Sequence, residues 1–293
     1  MGLSEVTKLS RTTLWRRFTP FFNYRISPEV INKLFPLKHC QNNCERWVLG
    51  LDGKWLHRFG VIMIYRDITN GINLWWSWQK SESYQHLCDD FYYVYLLTKL
   101  NPPSGIVSDW KSSIVALGKD FYPGIAHQRC LAHMVREARR LLPARSPFTF
   151  TLKLREIALN IMDISDPTDY FYWEQELGNW RQSYDQILRL KSFNPEVKKT
   201  SWFTHQNLRR AINLLTKDQE SLFKYLHYNF LPKTNNSLEG VNSQLKQKLG
   251  DHRGMKPEQQ IAFCYWHLTF SRVKTKKDLK KLWDSLKKEI SVV

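Results

Sequence analysis

No stretch of this chain approaches the ~18 to 20 consecutive apolar residues that a membrane-spanning helix needs. The opening "MGLSEVTKLSRTTLWRR" has no apolar core of the kind that directs secretion. Cysteine is scarce and odd in number. Cys40, Cys44, Cys88, Cys130 and Cys264 fall mostly within expected strands and helices, a pattern that fits a reducing compartment better than a disulfide framework. His39, Cys40 and Cys44 hint at zinc, but a second close ligand pair is missing. No acidic block offsets the basic residues either.

What is present is positive charge. Lys plus Arg number 44 against 27 acids, a net charge of +17, so the expected partner is a polyanion. With 42% hydrophobic and 14% aromatic residues the chain is expected to fold, and 293 residues suffice for one large domain with an insertion, or for two domains. A cytoplasmic, nucleoid-associated protein is the expectation, with no membrane partner and no small-molecule substrate.

Residues 1–45 form a basic segment. From Lys8 to Arg25 there are five basic residues and no acid, and "KLSRTTLWRRFTPFF" carries a helix-start signal at Ser10 or Thr12. It reads equally as the second helix of a partial helix-turn-helix, with Arg11, Thr13, Arg16 and Arg17 toward DNA, or as a lead-in packed on the main domain. From residue 46, "RWVLGLDGKWL", "FGVIMIYRDI" and "INLWWSWQK" read as strands, the last two joined by the turn "TNG". A helix in "YQHLCDDFYYVYLLTKL", a strand in "GIVSDW", a helix in "KSSIVALGKDF", a strand in "IAHQRC" and a helix in "LAHMVREARRLL" follow. A meander followed by strand-helix-strand-helix predicts an α/β core of the ribonuclease H-like kind: a mixed five-stranded sheet flanked by helices, with the first and fourth strands adjacent.

Residues 46–142 are the first part of that core. Residues 143–230 read as an all-helical insertion on the rhythm of Trp173, Leu177, Trp180, Tyr184 and Ile187, then of Leu208, Ile212 and Leu215. Residues 231–275 return to the core, and residues 276–293 form a basic carboxyl-terminal helix.

Two aspartates stand out because they sit in or at the end of apolar strands, where a bare carboxylate is costly unless a cation meets it: Asp52 in "LGLDGKW" and Asp109 in "GIVSDW". Glu239 lies off the apolar stripe of Leu238, Val241, Leu245 and Leu249, on the side shared by Asn242, Ser243 and Lys246. Three hard oxygen donors suit Mg²⁺ or Mn²⁺. Two such ions support phosphodiester cleavage or strand transfer. Each acid also has an ordinary reading: Asp109 as a helix cap, Asp52 as a turn residue, Glu239 as the partner of Asn236 in a capping box. Asp67, Asp89, Asp90 and Asp120 are read as turn or surface residues.

The blocks "LDGKWL", "VSDWKSSI", "QRCLAHMVREARR", "SWFTHQNLRRAINLL" and "TNNSLEGVNSQLKQKLGDHRG", in that order over residues 46 to 273, resemble the DDE transposases of bacterial insertion sequences, in the Mutator-like class with a helical insertion. The resemblance implies that Asp52, Asp109 and Glu239 are the catalytic acids and hold the metal, two ions of Mg²⁺ or Mn²⁺. It implies that Cys130 and His133 form the family's Cys-x-x-His element. It places Trp202 and His205 near the transposon end, and it allows Asn236, Lys246, His252 and Arg253 to meet DNA. Transposases of this type usually carry a fuller amino-terminal DNA-binding region than residues 1–45. The implied activity is metal-dependent cleavage at transposon ends and strand transfer into target DNA, by a homodimer or higher oligomer assembled on DNA. The alternatives are a truncated or domesticated transposase that binds DNA without transposing, and a ribonuclease H-like nuclease.

Overall fold

A computed structural model describes residues 7–22, 24–37, 46–193, 201–251 and 254–290. In chain order the elements are α1 (Arg11–Phe22), α2 (Pro28–Leu34), β1 (Val48–Trp55), β2 (Val61–Asp67), β3 (Ile72–Gln79), α3 (Tyr84–Thr98), β4 (Gly105–Ser108), α4 (Ser112–Phe121), β5 (Ala126–Arg129) and α5 (Leu131–Leu141). Then come α6 (Thr149–Asn160), α7 (Pro167–Arg189), β6 (Lys191–Phe193), β7 (Ser201–Phe203), α8 (Gln206–Thr216), a 3₁₀ turn at Gln219–Leu222 and α9 (Lys224–His227). The chain closes with α10 (Asn236–Asp251), α11 (Pro257–Arg272) and α12 (Lys276–Ile290). The fold is mixed α/β, with core strands β1 to β5 flanked by helices, as the sequence predicts. The helix expected over the first basic stretch is α1, whose start Ser10 caps by accepting the Thr13 amide at 3.1 Å. No helix among the described residues is long and apolar enough to cross a membrane.

The chain divides into two compact units. The first takes in the described residues up to 104, residues 111–125, and those from 236 onward. Its frame is the antiparallel meander β1-β2-β3, in which Leu51 lies opposite Tyr65 and Asp52 opposite Ile64. The turn after β2 closes because Asp67 accepts the amides of Thr69 and Asn70, and Gly71 takes φ +68°.

Period-2 alternation then assigns the two faces of the meander. Ile62, Ile64 and Trp76 lie buried with Leu238 and Leu245 of α10, with Ile261, Cys264 and Leu268 of α11, and with Leu282 and Leu286 of α12. Asp52 shares that face. The other face carries Tyr65, Trp75, Ser77 and Gln79, and all four side chains converge on one buried carboxylate, Asp90 of α3. Asp90 is therefore neither a turn nor a surface residue. Nothing local marks it, because its donors come from two strands. Asp67 keeps the turn role expected of it but is buried, while Asp89 and Asp120 are exposed.

α1 packs on α11 within this unit. The Trp266 indole donates to the Phe21 carbonyl at 3.0 Å, and the Phe21 ring meets Trp266 edge-on. Thr13 is half-buried, and Arg16 and Arg17 are exposed.

The second unit takes in residues 105–110 and 126–235. β4 and β5 pair in parallel, Ser108 opposite Arg129. A Cβ at Gly105 would run into a methyl of the buried Leu231, so a larger residue there would force that side chain to move. Gln128, fully buried, ties β5 to the following helices by donating to the Leu222 carbonyl and accepting the Tyr225 amide. Trp173, Leu177 and Trp180 of α7 are buried on the expected stripe, the two indoles donating to the carbonyls of Ile157 and Phe150. Tyr184, at φ −120° and ψ 15°, kinks α7, so the stripe continues through Leu188 rather than the expected Ile187.

The stretch from 143 to 230 also departs from the all-helical expectation, because β6 and β7 form an antiparallel ribbon with Ser192 opposite Trp202. Strands of three residues are too short to show a period of two. The ribbon is held by Ser192 and Thr204 hydroxyls 2.8 Å apart, and by the Arg209 guanidinium 3.6 Å over the Phe203 ring.

Candidate active site

In the first unit the site is built on the seam between β1 and α10. Asp52 is 7% exposed. One carboxylate oxygen accepts the Gly53 amide at 2.9 Å, and the other accepts the side-chain amide of Asn242 at 2.7 Å. The sequence placed Asn242 on the Glu239 side of α10 without giving it a role, and its contact with Asp52 went unforeseen. Having turned its N–H toward Asp52, Asn242 leaves Oδ1 buried with no hydrogen-bond partner. Glu239 lies three residues earlier, one turn along the same side of α10, and is half-buried. The oxygen atoms this seam offers are thus the Asp52 carboxylate, the Asn242 amide oxygen beside it and, one turn along the helix, the Glu239 carboxylate, all hard donors by type.

The ordinary readings of the first and third acids fare poorly. Asp52 lies inside β1, not in a turn. α10 begins at Asn236, which puts Glu239 fourth in the helix, one place beyond the capping-box position.

The seam turns basic at its other end. Lys54 follows Asp52 by two residues on the strand, and Lys246 follows Asn242 by four on the helix, so the steps of the two elements keep pace. Burial holds the Lys54 ammonium below its usual range. The nearby charge of Lys246 lowers it further, against the opposing pull of Asp52.

In the second unit, Asp109 follows the last residue of β4 and is half-buried. The residue before α4 is Lys111, so Asp109 does not occupy the cap position. Arg129, whose guanidinium donates to the Leu214 carbonyl at 3.1 Å, is lowered by burial and pulled back up by the charges of Asp218 and Asp109. Cys130, fully buried, precedes α5. Its amide donates to the Ser108 carbonyl at 2.7 Å, and its sulfur accepts the Asn235 amide at 3.3 Å. His133 is half-buried one turn into α5. The described cysteines Cys88, Cys130 and Cys264 are free thiols.

Trp202 is not helical core. It stands on β7, 51% exposed. It lines a cleft of about 470 Å³ with Phe148, Thr151, His205 and Asn207, and His205 meets the rings of Phe148 and Phe150 edge-on. Asn236 and Lys246 are exposed on α10, and Arg11 opens α1. His252 and Arg253 lie outside the described residues, as do His39, Cys40 and Cys44.

The mixed α/β class and the acid-bearing seam meet a family likeness at this point. Residues 115–241 match the model of the family described as Transposase IS66 family. The match supports an insertion-sequence transposase, and it names that family rather than the Mutator-like class expected from the motifs. It begins beyond Asp109 and ends just past Glu239, so it covers one of the three expected acids together with Cys130, His133, Trp202 and His205. No curated protein matches the chain.

Proposed function

We propose that the protein is a DDE-type DNA transposase that cleaves transposon ends and transfers the freed strand into target DNA. The observation that carries the reading is the Asp52 carboxylate, buried in an apolar strand and seated against the helix that bears Asn242 and Glu239, on a chain whose residues 115–241 match a transposase family. Asp52, Asp109 and Glu239 would hold two divalent ions, Mg²⁺ or Mn²⁺. Such ions activate an attacking oxygen and stabilise the leaving oxygen of a phosphodiester.

The rest is the work of the chain's own residues. Asn242 orients Asp52, and Lys54 and Lys246 offer a DNA phosphate two ammonium groups. In this reading residues 46–142 and 231–275 form a ribonuclease H-like core around the insertion 143–230. Cys130 and His133 shape its site as a Cys-x-x-His element. Arg11, Thr13, Arg16, Arg17, Asn236, Lys246 and Arg253 contact DNA, and the active form is a dimer or larger assembly on DNA in the cytoplasm, at the nucleoid.

Purified protein mixed with oligonucleotides taken from the DNA flanking its reading frame is expected to cut and join them with Mg²⁺ or Mn²⁺, and to stop when EDTA is added. Binding without any joining would replace this reading with that of a transposase that only binds. A preference for RNA–DNA hybrids would replace it with a nuclease.

Trp202 supplies a narrower test. Its exposed indole offers a stacking platform, so Trp202→Ala is expected to weaken binding to DNA carrying unpaired bases by about 1–3 kcal/mol, with little change for full duplex. Fluorescence anisotropy on flapped and duplex DNA reads the difference, and equal losses on both would remove the stacking role.

A further inference from the structure

We infer that Trp110 and Asp218 form a latch that fixes the direction of the Asp109 carboxylate, which makes both of them positioning residues. The inference rests on the reading of Asp109 as a metal-holding acid.

Trp110 has φ +68°, the left-handed region that a bulky side chain rarely occupies and that persists only where the surroundings hold it. A glycine would reach the same backbone freely. The tryptophan is restrained at three points. Its amide donates to the Ser108 hydroxyl at 3.2 Å, and that hydroxyl lies 2.8 Å from His127 Nε2. Its ring stands edge-on to His127, with centroids 4.9 Å apart. Its indole N–H donates to Asp218 Oδ2 at 3.3 Å.

Asp218 is itself in the left-handed region, at φ +54°. Its carbonyl accepts both the amide and the hydroxyl of Ser221, at 2.9 and 2.6 Å. Two left-handed residues, far apart in sequence, are thus clipped together by one hydrogen bond. Asp109 lies between the clipped Trp110 and Ser108, which is held in register with Arg129 on β5. A chain pinned on both sides leaves Asp109 little freedom to turn, which is what a ligand held to within ~0.5 Å and 10–20° requires.

The test uses the full chain and reads Mn²⁺ binding by the loss of the free-ion electron paramagnetic resonance signal, with near-ultraviolet circular dichroism as the check on folding. Trp110→Phe keeps a ring against His127 and deletes the N–H. It is expected to raise the Mn²⁺ concentration for half-saturation about tenfold, as loss of a partner behind a ligand commonly does. Asp218→Ala is expected to do the same. Asp218→Asn, which keeps an acceptor oxygen and tolerates the left-handed backbone, is expected to recover most of the affinity. Wild-type Mn²⁺ binding in folded Trp110→Phe and Asp218→Ala overturns the latch. If Asp218→Ala does not fold, Trp110→Phe and Asp218→Asn decide. If Asp109→Asn leaves Mn²⁺ binding unchanged, the reading of Asp109 fails and the latch falls with it.

Discussion

Asp52→Asn is expected to lower divalent-dependent DNA cleavage by about three powers of ten or more while leaving DNA affinity nearly unchanged. A metal centre supplies several kcal/mol of transition-state stabilisation, and about 1.4 kcal/mol is worth tenfold in rate. The substitution suits the question because the fold should tolerate it. The new amide keeps an oxygen for the Gly53 N–H, and Asn242 can rotate its own amide to present Oδ1, the atom now without a hydrogen-bond partner. Loss of cleavage with an unchanged melting curve then reports chemistry rather than collapse. Glu239→Gln is expected to behave likewise from the other side of the seam. Single-turnover cleavage alongside gel-shift binding measures both quantities, and wild-type turnover in either variant would exclude that residue from the site.

The largest stability effect is expected at Asp90. Its carboxylate accepts from the Trp75 indole at 2.9 Å, from Tyr65 at 3.3 Å, from Gln79 at 3.1 Å and from the Ser77 hydroxyl, in a buried setting. Asp90→Ala leaves a buried indole N–H with no acceptor and opens a void, a loss of about 3 kcal/mol. Denaturant titration of the purified variant would show it, and a midpoint matching wild type would mean that the network is not needed.

The same group gives a pH dependence with a definite sign. Burial raises the Asp90 carboxyl above its ordinary value, against the opposing pull of its donors, of which Ser77 and Trp75 are the strongest. A group that holds its proton more tightly when folded contributes stability that is complete below the unfolded value of about 3.8 and is lost as pH rises through the higher folded value. Asp90→Asn removes that term. Its stability relative to wild type is therefore expected to improve as pH climbs from the acid range toward neutrality, and a pH-independent difference would contradict the assignment.

The elements of the core were legible because their signals are local. The apolar run of "FGVIMIYRDI" and the turn "TNG" each mark a boundary within a few residues, and β2 and β3 fall where those marks put them. The stripe on α10 was equally legible, with Leu238 and Leu245 fully buried and Val241 and Leu249 partly so. Signals that are weak or split across the chain went unseen. The β6–β7 ribbon is too short to alternate, the kink at Tyr184 has no proline to announce it, and the partners of Asp90 lie on separate strands.

The candidate site divides along the same line. Asp52 could be singled out from sequence because an acid within an apolar strand is anomalous wherever that strand packs. That Asn242 meets it required the fold, since 190 residues separate the two and only the docking of α10 on β1 joins them. Trp110 and Asp218 are similar, because nothing in either tripeptide announces a left-handed backbone, and their hydrogen bond spans 108 residues. Composition and periodicity alone determined a basic, mixed α/β protein and the buried stripes of α8, α10 and α7 as far as Trp180, because those properties depend on neighbours a few residues apart. Which polar groups touch was decided by tertiary packing, because a hydrogen bond reaches about 3 Å whatever the length of chain between its ends.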